Sequence, residues 1–426
     1  MSQHYQLKCS VCGYTFADDG ISLACPREHE PGLLITEYVT KAFAPDRNAP
    51  GIARYWRWLP SFQISSSSCI PITYQSERLN RALGLPNLWI AFSGYWPERG
   101  SEFATGTFKE LEARSVVARV PHLTETLVVA SAGSTAAAFA HVCSQQKLSC
   151  LIIVPARGLA RMRLFEPLHP CVRVISLTGR ADYSDAISLA ERLSQLDGFI
   201  LEGGVKNVGR RDGIGTILLS AVEAIGHLPD CYFQAIGSGA GGIATYEMSQ
   251  RLIGDGRFGC RVPQLMLSQN LPFAPIYRAW KGQSPTLDKE NVEMAKQQAK
   301  QIVADVLSNR QPPYAIRGGI VDVLTASDGN MLAATNRAAC RALNWFHRCE
   351  GIDIDPAAGV ALASLIDAAS QGKLNRDATI LLHLTGGGFS YRQARSPLDL
   401  VKPTLELDVS DIGTERSLEQ ITALFS

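Results

Sequence analysis

Two short stretches of this 426-residue chain have the composition of anion sites, SAGST (131–135) and GSGAGG (237–242). Each follows an apolar run and precedes a helical pattern, so its backbone N–H groups and the positive end of the helix dipole can face a ligand without any charged side chain. Such turns are also ordinary joints in α/β proteins, and a suitable lysine is what tips the reading towards function. GTFKELEA (106–113) offers one, Lys109, after a small hydroxyl-bearing turn and before a predicted helix. Glycines also bunch in EGG (202–204) and TGGGF (385–389). Just after the EGG turn, KNVGRR (206–211) supplies Lys206, Asn207, Arg210 and Arg211. An arginine fork can grip two oxygens of a phosphate, whereas a basic run before a helix is otherwise a solvated surface. Arg157, Arg161 and Arg163 form a second basic group, read as either a small-anion lure or a solubilising surface.

Near the start, Cys9-x-x-Cys12 with Cys25 and His29 imitates a zinc ribbon, in which two knuckles of thiolate or imidazole ligands close a tetrahedron. The twelve residues between the knuckles and the C-x₃-H ending are irregular for that motif, so a metal-free remnant is the other reading. Zinc there would be structural, because the set leaves no open position for a substrate. The chain has eleven cysteines, an odd number suited to reduced thiols rather than a disulfide framework, and the others read as core residues. His141, on the helix after SAGST, reads as packed or solvated.

The elements that must position these residues follow from periodicity. Apolar runs at 127–131, 150–154, 172–177, 198–201, 231–237, 265–270 and 378–384 are continuous rather than alternating, the mark of strands covered on both faces and hence of a mainly parallel sheet. Helical patterns separate them at 135–146, 184–195, 215–226 and, the longest, 288–309. The fold class is α/β. SSSS (65–68) reads as a loop. The length implies two or more lobes. Forty-one basic against forty acidic residues give a net charge of +1, too little to hold a polyanion, so nucleic acid is not an expected partner. No apolar run nears the roughly 18–20 residues of a membrane helix, and the first residues lack a signal-peptide core, so no membrane association and a cytoplasmic location are expected.

The order of motifs, TFK (107–109), SAGST (131–135), GSGAG (237–241) and LTGGGF (384–389), resembles the pyridoxal-phosphate enzymes of fold type II, the tryptophan synthase β-like group that includes threonine synthase. The stretches GIARYWRWLP, PITYQSE, FSGYWPE, FKELEA, EGGVKNVGRRDG, FQAIGSGAGG, QNLPF and EGIDIDP are similar to its cysteate synthase branch, and the resemblance covers nearly the whole chain. It implies that Lys109 is the Schiff-base lysine, that Gly237, Ser238, Gly239, Ala240 and Gly241 cradle the cofactor phosphate, and that Thr385 faces the pyridine nitrogen. It implies that Ser131, Ala132, Gly133 and Thr135 bind the substrate carboxylate and that Asn207 and Arg210 bind its phosphate. The family's usual Asn in the carboxylate loop is Ser134 here, a shorter side chain whose contact with the cofactor is lost or passes through water.

For the whole protein the resemblance implies a Cys-rich, ribbon-like segment (1–40), a large cofactor lobe (41–110 and 211–426) and a small mobile substrate lobe (111–210). The implied reaction is β-replacement on O-phospho-L-serine, with sulfite giving L-cysteate, in amino-acid and coenzyme M biosynthesis, by a homo-oligomer. Three alternatives stay open: a threonine synthase acting on O-phosphohomoserine, β-replacement with another nucleophile such as sulfide, and a catalytically silent sensor of cofactor or metabolite.

Overall fold

The protein is described by a computed structural model for residues 4–61, 68–120, 122–287 and 291–425. The serine loop predicted at 65–68 lies outside the described residues except for Ser68, and the predicted helix at 288–309 has its first three residues outside them. Two sheets dominate. The larger has six strands in the order Asn330–Thr335, Gln264–Leu271, Cys231–Ala235, Ile380–Leu384, Leu88–Phe92 and Ile72–Tyr74. All neighbours run parallel except the last pair. The smaller has five parallel strands, Phe199–Leu201, Thr126–Ala130, Cys150–Pro155, Val172–Thr178 and Leu405–Asp408.

The continuous apolar runs are explained by what lies on each face. Successive strand residues point to opposite faces. Thus Tyr232 and Leu381 join the core beneath the helices Val208–Ile225 and Ala240–Asp255. Their neighbours Phe233 and Leu382 join the opposite core beneath Pro356–Ser370. In the smaller sheet Val129 and Ile152 pack with the alanine-rich helix Ser134–Gln146, while Val128 and Ile153 pack with Tyr183–Leu193. Both faces of these inner strands are covered, so no polar alternation appears in their sequence; the edge strand Leu405–Asp408, with Glu406 and Asp408 exposed, is the exception.

Three local expectations are corrected. The pattern at 288–309 is not one helix: it runs from Val292 to Gln301, and only the turn Asp305–Leu307 follows. The N–H groups of Val303 and Ala304 are captured by Asn336 and Asn270 side chains at 3.1 Å each, so the backbone satisfies its donors without helix. Of the basic run at 206–211, Lys206 is exposed, but Asn207 caps the helix and Arg210 and Arg211 are buried within it, so the run is not a solvated lead-in throughout. The C-terminal stretch, assigned to the large lobe, sends Leu405–Asp408 to the edge of the smaller sheet, where Ile421 and Leu407 are buried; this covers the otherwise open edge of Val172–Thr178.

The Cys-rich start forms a three-stranded antiparallel sheet from Tyr5–Cys9, Thr15–Phe16 and Leu34–Tyr38. Buried Asp212 on the helix Val208–Ile225 fastens it, accepting from Thr36 Oγ1 and Tyr38 Oη at 2.7 Å and pairing with Arg251 at 2.6 Å. A second buried pair, Arg119 with Asp18, does the same from the helix Lys109–Arg119. No helix among the described residues is long and apolar enough to cross a membrane. Removing one member of a buried pair strands the other charge, so Asp212→Ala is expected to cost about 3 kcal/mol or more and to lower the thermal midpoint measured by calorimetry.

Candidate active site

The strand Cys231–Ala235 turns through 237–239 into the helix Ala240–Asp255, and no side chain caps that helix start. Gly239 has φ +87°, and a Cβ there would lie 2.3 Å from Ile320 Cδ1; one at Gly241 would lie 2.3 Å from Gln234 Nε2. Only glycine keeps this turn both left-handed and tight against its walls. The strand Thr126–Ala130 makes a parallel approach to the helix Ser134–Gln146. Here Ser131 Oγ accepts from Gly133 N and Ala136 N at 2.9 Å each, so the serine shapes the turn as well as lining it.

Lys109 opens the helix Lys109–Arg119, and its turn is tied to TGGGF. Phe108 N donates to the Thr385 carbonyl and Gly387 N to that of Gly106, both at 3.0 Å. The lysine and Thr385, 276 residues apart in sequence, are thereby neighbours in one framework. A cleft of roughly 780 Å³, measured out to its mouth, lies between the two sheets' turns and is lined by 131–135, 237–241, Lys109, Arg210 and Thr385.

Burial in the cleft wall lowers the Lys109 amine below its ordinary value, against the opposing pull of Glu112. Glu112, itself without exposure, lies 3.1 Å from Lys109 Nζ and accepts from Thr135 Oγ1 at 2.8 Å. The Arg210 guanidinium is already engaged. Its Nη1 donates to Glu112 at 2.9 Å, and its Nε, at 2.9 Å, and Nη2 donate to Glu202. Burial pushes Tyr183, another residue of the cleft wall, up to about 12. Thr385 Oγ1 faces the buried Asp355 carboxylate at 3.4 Å, and burial raises the Asp355 carboxyl. Behind Phe108, desolvation holds His383 down to about 3, so it stays neutral.

Of the residues singled out by sequence, Asn207 is not brought into the cleft wall. Its carboxamide caps the helix by accepting from Gly209 N at 2.9 Å, and it also accepts from Arg119 Nη1 at 3.0 Å and donates to the Glu202 carbonyl at 2.8 Å. The residues that sequence reasoning passed over are Glu112, Glu202, Tyr183 and Asp355. Glu112 had a signal, its i,i+3 spacing from Lys109 on a helix. Glu202 and Asp355 stood inside quoted motifs, but nothing in those motifs shows that the two carboxylates are buried.

Far from the cleft, Cys9, Cys12, Cys25 and His29 put one ligand atom each within 4.8 Å of all the others. Cys12 and Cys25 Sγ are 3.8 Å apart, and Cys9 Sγ is 3.3 Å from His29 Nε2.

Two glycine-shaped helix starts and a half-buried lysine around one cleft define a class: an α/β enzyme built to hold an anionic cofactor against an amine of lowered basicity. The cradle fits the phosphate of pyridoxal phosphate, because donors without side chains suit a permanent anion, and the lysine suits its carbonyl. Residues 73–386 match the family model "Pyridoxal-phosphate dependent enzyme". The chain is 43% identical over 417 residues to a cysteate synthase of Methanosarcina barkeri, covering 97% of this chain and 99% of that protein. It is 46% identical over 392 residues to one of Methanosphaerula palustris, covering 91% of each. Among solved structures, maize serine racemase matches with a TM-score of 0.59 at 13% identity, over 76% of this chain and 92% of that one, a likeness of fold. The chain belongs to the pyridoxal-phosphate-dependent enzyme family, in its cysteate synthase branch.

Gly239→Ala places a Cβ in a left-handed position against Ile320, at a cost of about 1–3 kcal/mol. The expected outcome is weaker retention of pyridoxal phosphate, read by equilibrium dialysis, with Gly254→Ala, whose Cβ meets nothing within 4 Å, retaining it normally.

Proposed function

We propose that the protein catalyses β-replacement on O-phospho-L-serine, with sulfite as nucleophile, giving L-cysteate and phosphate. The observation that carries this reading is the near full-length identity to cysteate synthases at 42–46%. Bound pyridoxal phosphate supplies the electron sink that allows a Cα proton to leave. In this reading Lys109 Nζ removes that proton and later returns it, a task suited to an amine whose basicity burial has lowered. The 131–135 turn holds the α-carboxylate through backbone N–H groups and hydroxyls, and Gly237, Ser238, Gly239, Ala240 and Gly241 hold the cofactor phosphate. Thr385, in the cleft wall, would face the cofactor's pyridine nitrogen. At the β-carbon the C–O bond to phosphate breaks and a C–S bond to sulfite forms, so one small anion leaves as another arrives. The small lobe, carrying 131–135, closes over the substrate and excludes water. A cytoplasmic homo-oligomer serving coenzyme M biosynthesis is the setting this reaction suits.

Arg210 enters this reading as scaffold rather than as a free phosphate grip, since Glu202 and Glu112 already occupy its fork. Asn207 is withdrawn from the substrate set.

Incubation with phosphoserine and sulfite is expected to release phosphate and cysteate together, followed by chromatography. Phosphate release from phosphohomoserine but not phosphoserine overturns the proposal in favour of threonine synthesis, and product formed only with sulfide changes the nucleophile. Lys109→Ala is expected to lower turnover by about 10³-fold or more.

The N-terminal set is read as a structural zinc site. With Zn–S near ~2.3 Å, tetrahedral geometry sets sulfurs about 3.8 Å apart, the separation of Cys12 and Cys25. His29 Nδ1 donates to the Glu30 carbonyl at 2.6 Å, which leaves Nε2 as the ligand atom. A hydrogen bond from the Tyr14 backbone, with neighbouring thiols and imidazole, lowers the Cys12 thiol to about 7, easing thiolate formation. One zinc per chain is expected by atomic emission, with Cys12→Ser or Cys25→Ser abolishing it; a metal-free wild type overturns the assignment.

A further inference from the structure

The lysine's nearest charged neighbour has no part in the reading above. Glu112 is fully buried, and each of its oxygens does something different. Oε2 faces Lys109 Nζ at 3.1 Å, while Oε1 accepts from Thr135 of the substrate turn at 2.8 Å and from Arg210 at 2.9 Å. The carboxylate thus joins three elements: the helix that bears the lysine, the turn assigned to the substrate carboxylate, and the helix Val208–Ile225. A glutamate whose only task was to balance Arg210 would need neither the lysine nor the threonine, because Glu202 already takes two donors from that fork.

We infer that Glu112 is the positioning residue of this active site, a fixed anion that sets the charge state and aim of Lys109 and couples them to the substrate turn through Thr135. The inference rests on the role of Lys109 in the proposed function.

The electrostatic reasoning is direct. Burial disfavours the charged lysine, and a carboxylate at hydrogen-bond distance restores part of that loss. The groups around the amine from other elements are Arg210, which opposes the positive form, and Glu202, which favours it from behind Arg210. Tyr183 and Asp355 line the same cleft, and His383, behind Phe108, is neutral. Among these, Glu112 is the group that hydrogen-bonds the lysine. Its second oxygen is held by a cation and a hydroxyl, so it cannot swing away without stranding Arg210 and Thr135. Seating of a substrate carboxylate on 131–135 would move Thr135 Oγ1, and that movement reaches the lysine through one carboxylate.

The test is a pH titration of the visible absorbance of the bound cofactor, which needs no substrate and so can fail independently of the assigned reaction. Glu112→Gln keeps the shape and removes the charge; the midpoint is expected to fall by about one pH unit or more. Glu112→Asp, one methylene shorter, should fall by less. Thr135→Val should leave the midpoint near wild type while raising KM for the amino-acid substrate more than it lowers kcat. A Glu112→Gln protein that binds cofactor with an unshifted midpoint overturns the inference and leaves Glu112 a packing residue. If that variant does not fold, Glu112→Asp decides the question: a displaced midpoint supports the proposal and an unmoved one refutes it. Loss of the absorbance in Lys109→Ala verifies that the titrating chromophore is attached to this lysine, and its persistence overturns the assignment of Lys109.

Discussion

Beneath the cleft, two glutamates, an arginine and a lysine share one corner from which water is almost excluded, and much of the surrounding architecture can be understood as keeping that corner satisfied. Glu112 and Glu202 are both buried, and neither could remain charged there without donors. Arg210 serves both, and Thr135 and the Gly204 N–H, at 3.0 Å from Glu202, take up further lone pairs. These groups come from a helix start, a strand end, a second helix and a loop. Moving any one element would strand a charge on another, so the corner holds these elements in register with one another.

The lobes are joined on the rim of the cleft. The segment from Val292 to Arg310 belongs to the larger lobe, and its Val306, Leu307 and Asn309 line the cleft. Lys296 and Arg310 pair with Asp185 and Asp182, at 3.2 and 2.5 Å, at the capped start of the small-lobe helix Tyr183–Leu193. Asp305 pairs with Arg161 beside the 131–135 turn. Of these, the Arg161–Asp305 and Lys296–Asp185 pairs are partly exposed and individually weak, whereas Arg310–Asp182 is largely buried.

Burial also governs what could be read from sequence. The strands were legible because both faces of each are covered, leaving unbroken apolar runs such as 150–154. The glycine turns were legible because Gly239 occupies a conformation that other residues adopt only with strain. The partners of Arg210 were not legible, since a basic run before a helix has the same composition whether its guanidinium meets water, a phosphate or Glu202. Only the long-range fold decides among those. The helix predicted to 309 failed for a related reason: Asn270 and Asn336, distant in sequence, outbid the helix for the N–H groups of Val303 and Ala304. The C-terminal strand at 405–408 was invisible because four residues with one buried side chain carry almost no periodic signal.

The engagement of Arg210 bears on how the cleft treats anions. With three of its five N–H donors committed to Glu112 and Glu202 and the Thr135 hydroxyl donated to Glu112, the other donors facing a phosphate, a carboxylate or a small oxyanion are backbone N–H groups at two helix starts and the hydroxyls of residues such as Ser134 and Ser238. Donors of this kind hold an anion by direction and proximity rather than by neutralising it. They release it without leaving an unpaired cation behind, which in a dry site would be costly. For a reaction in which one anion departs the β-carbon and another enters, a site that binds through dipoles and keeps its own charges paired with each other suits both steps.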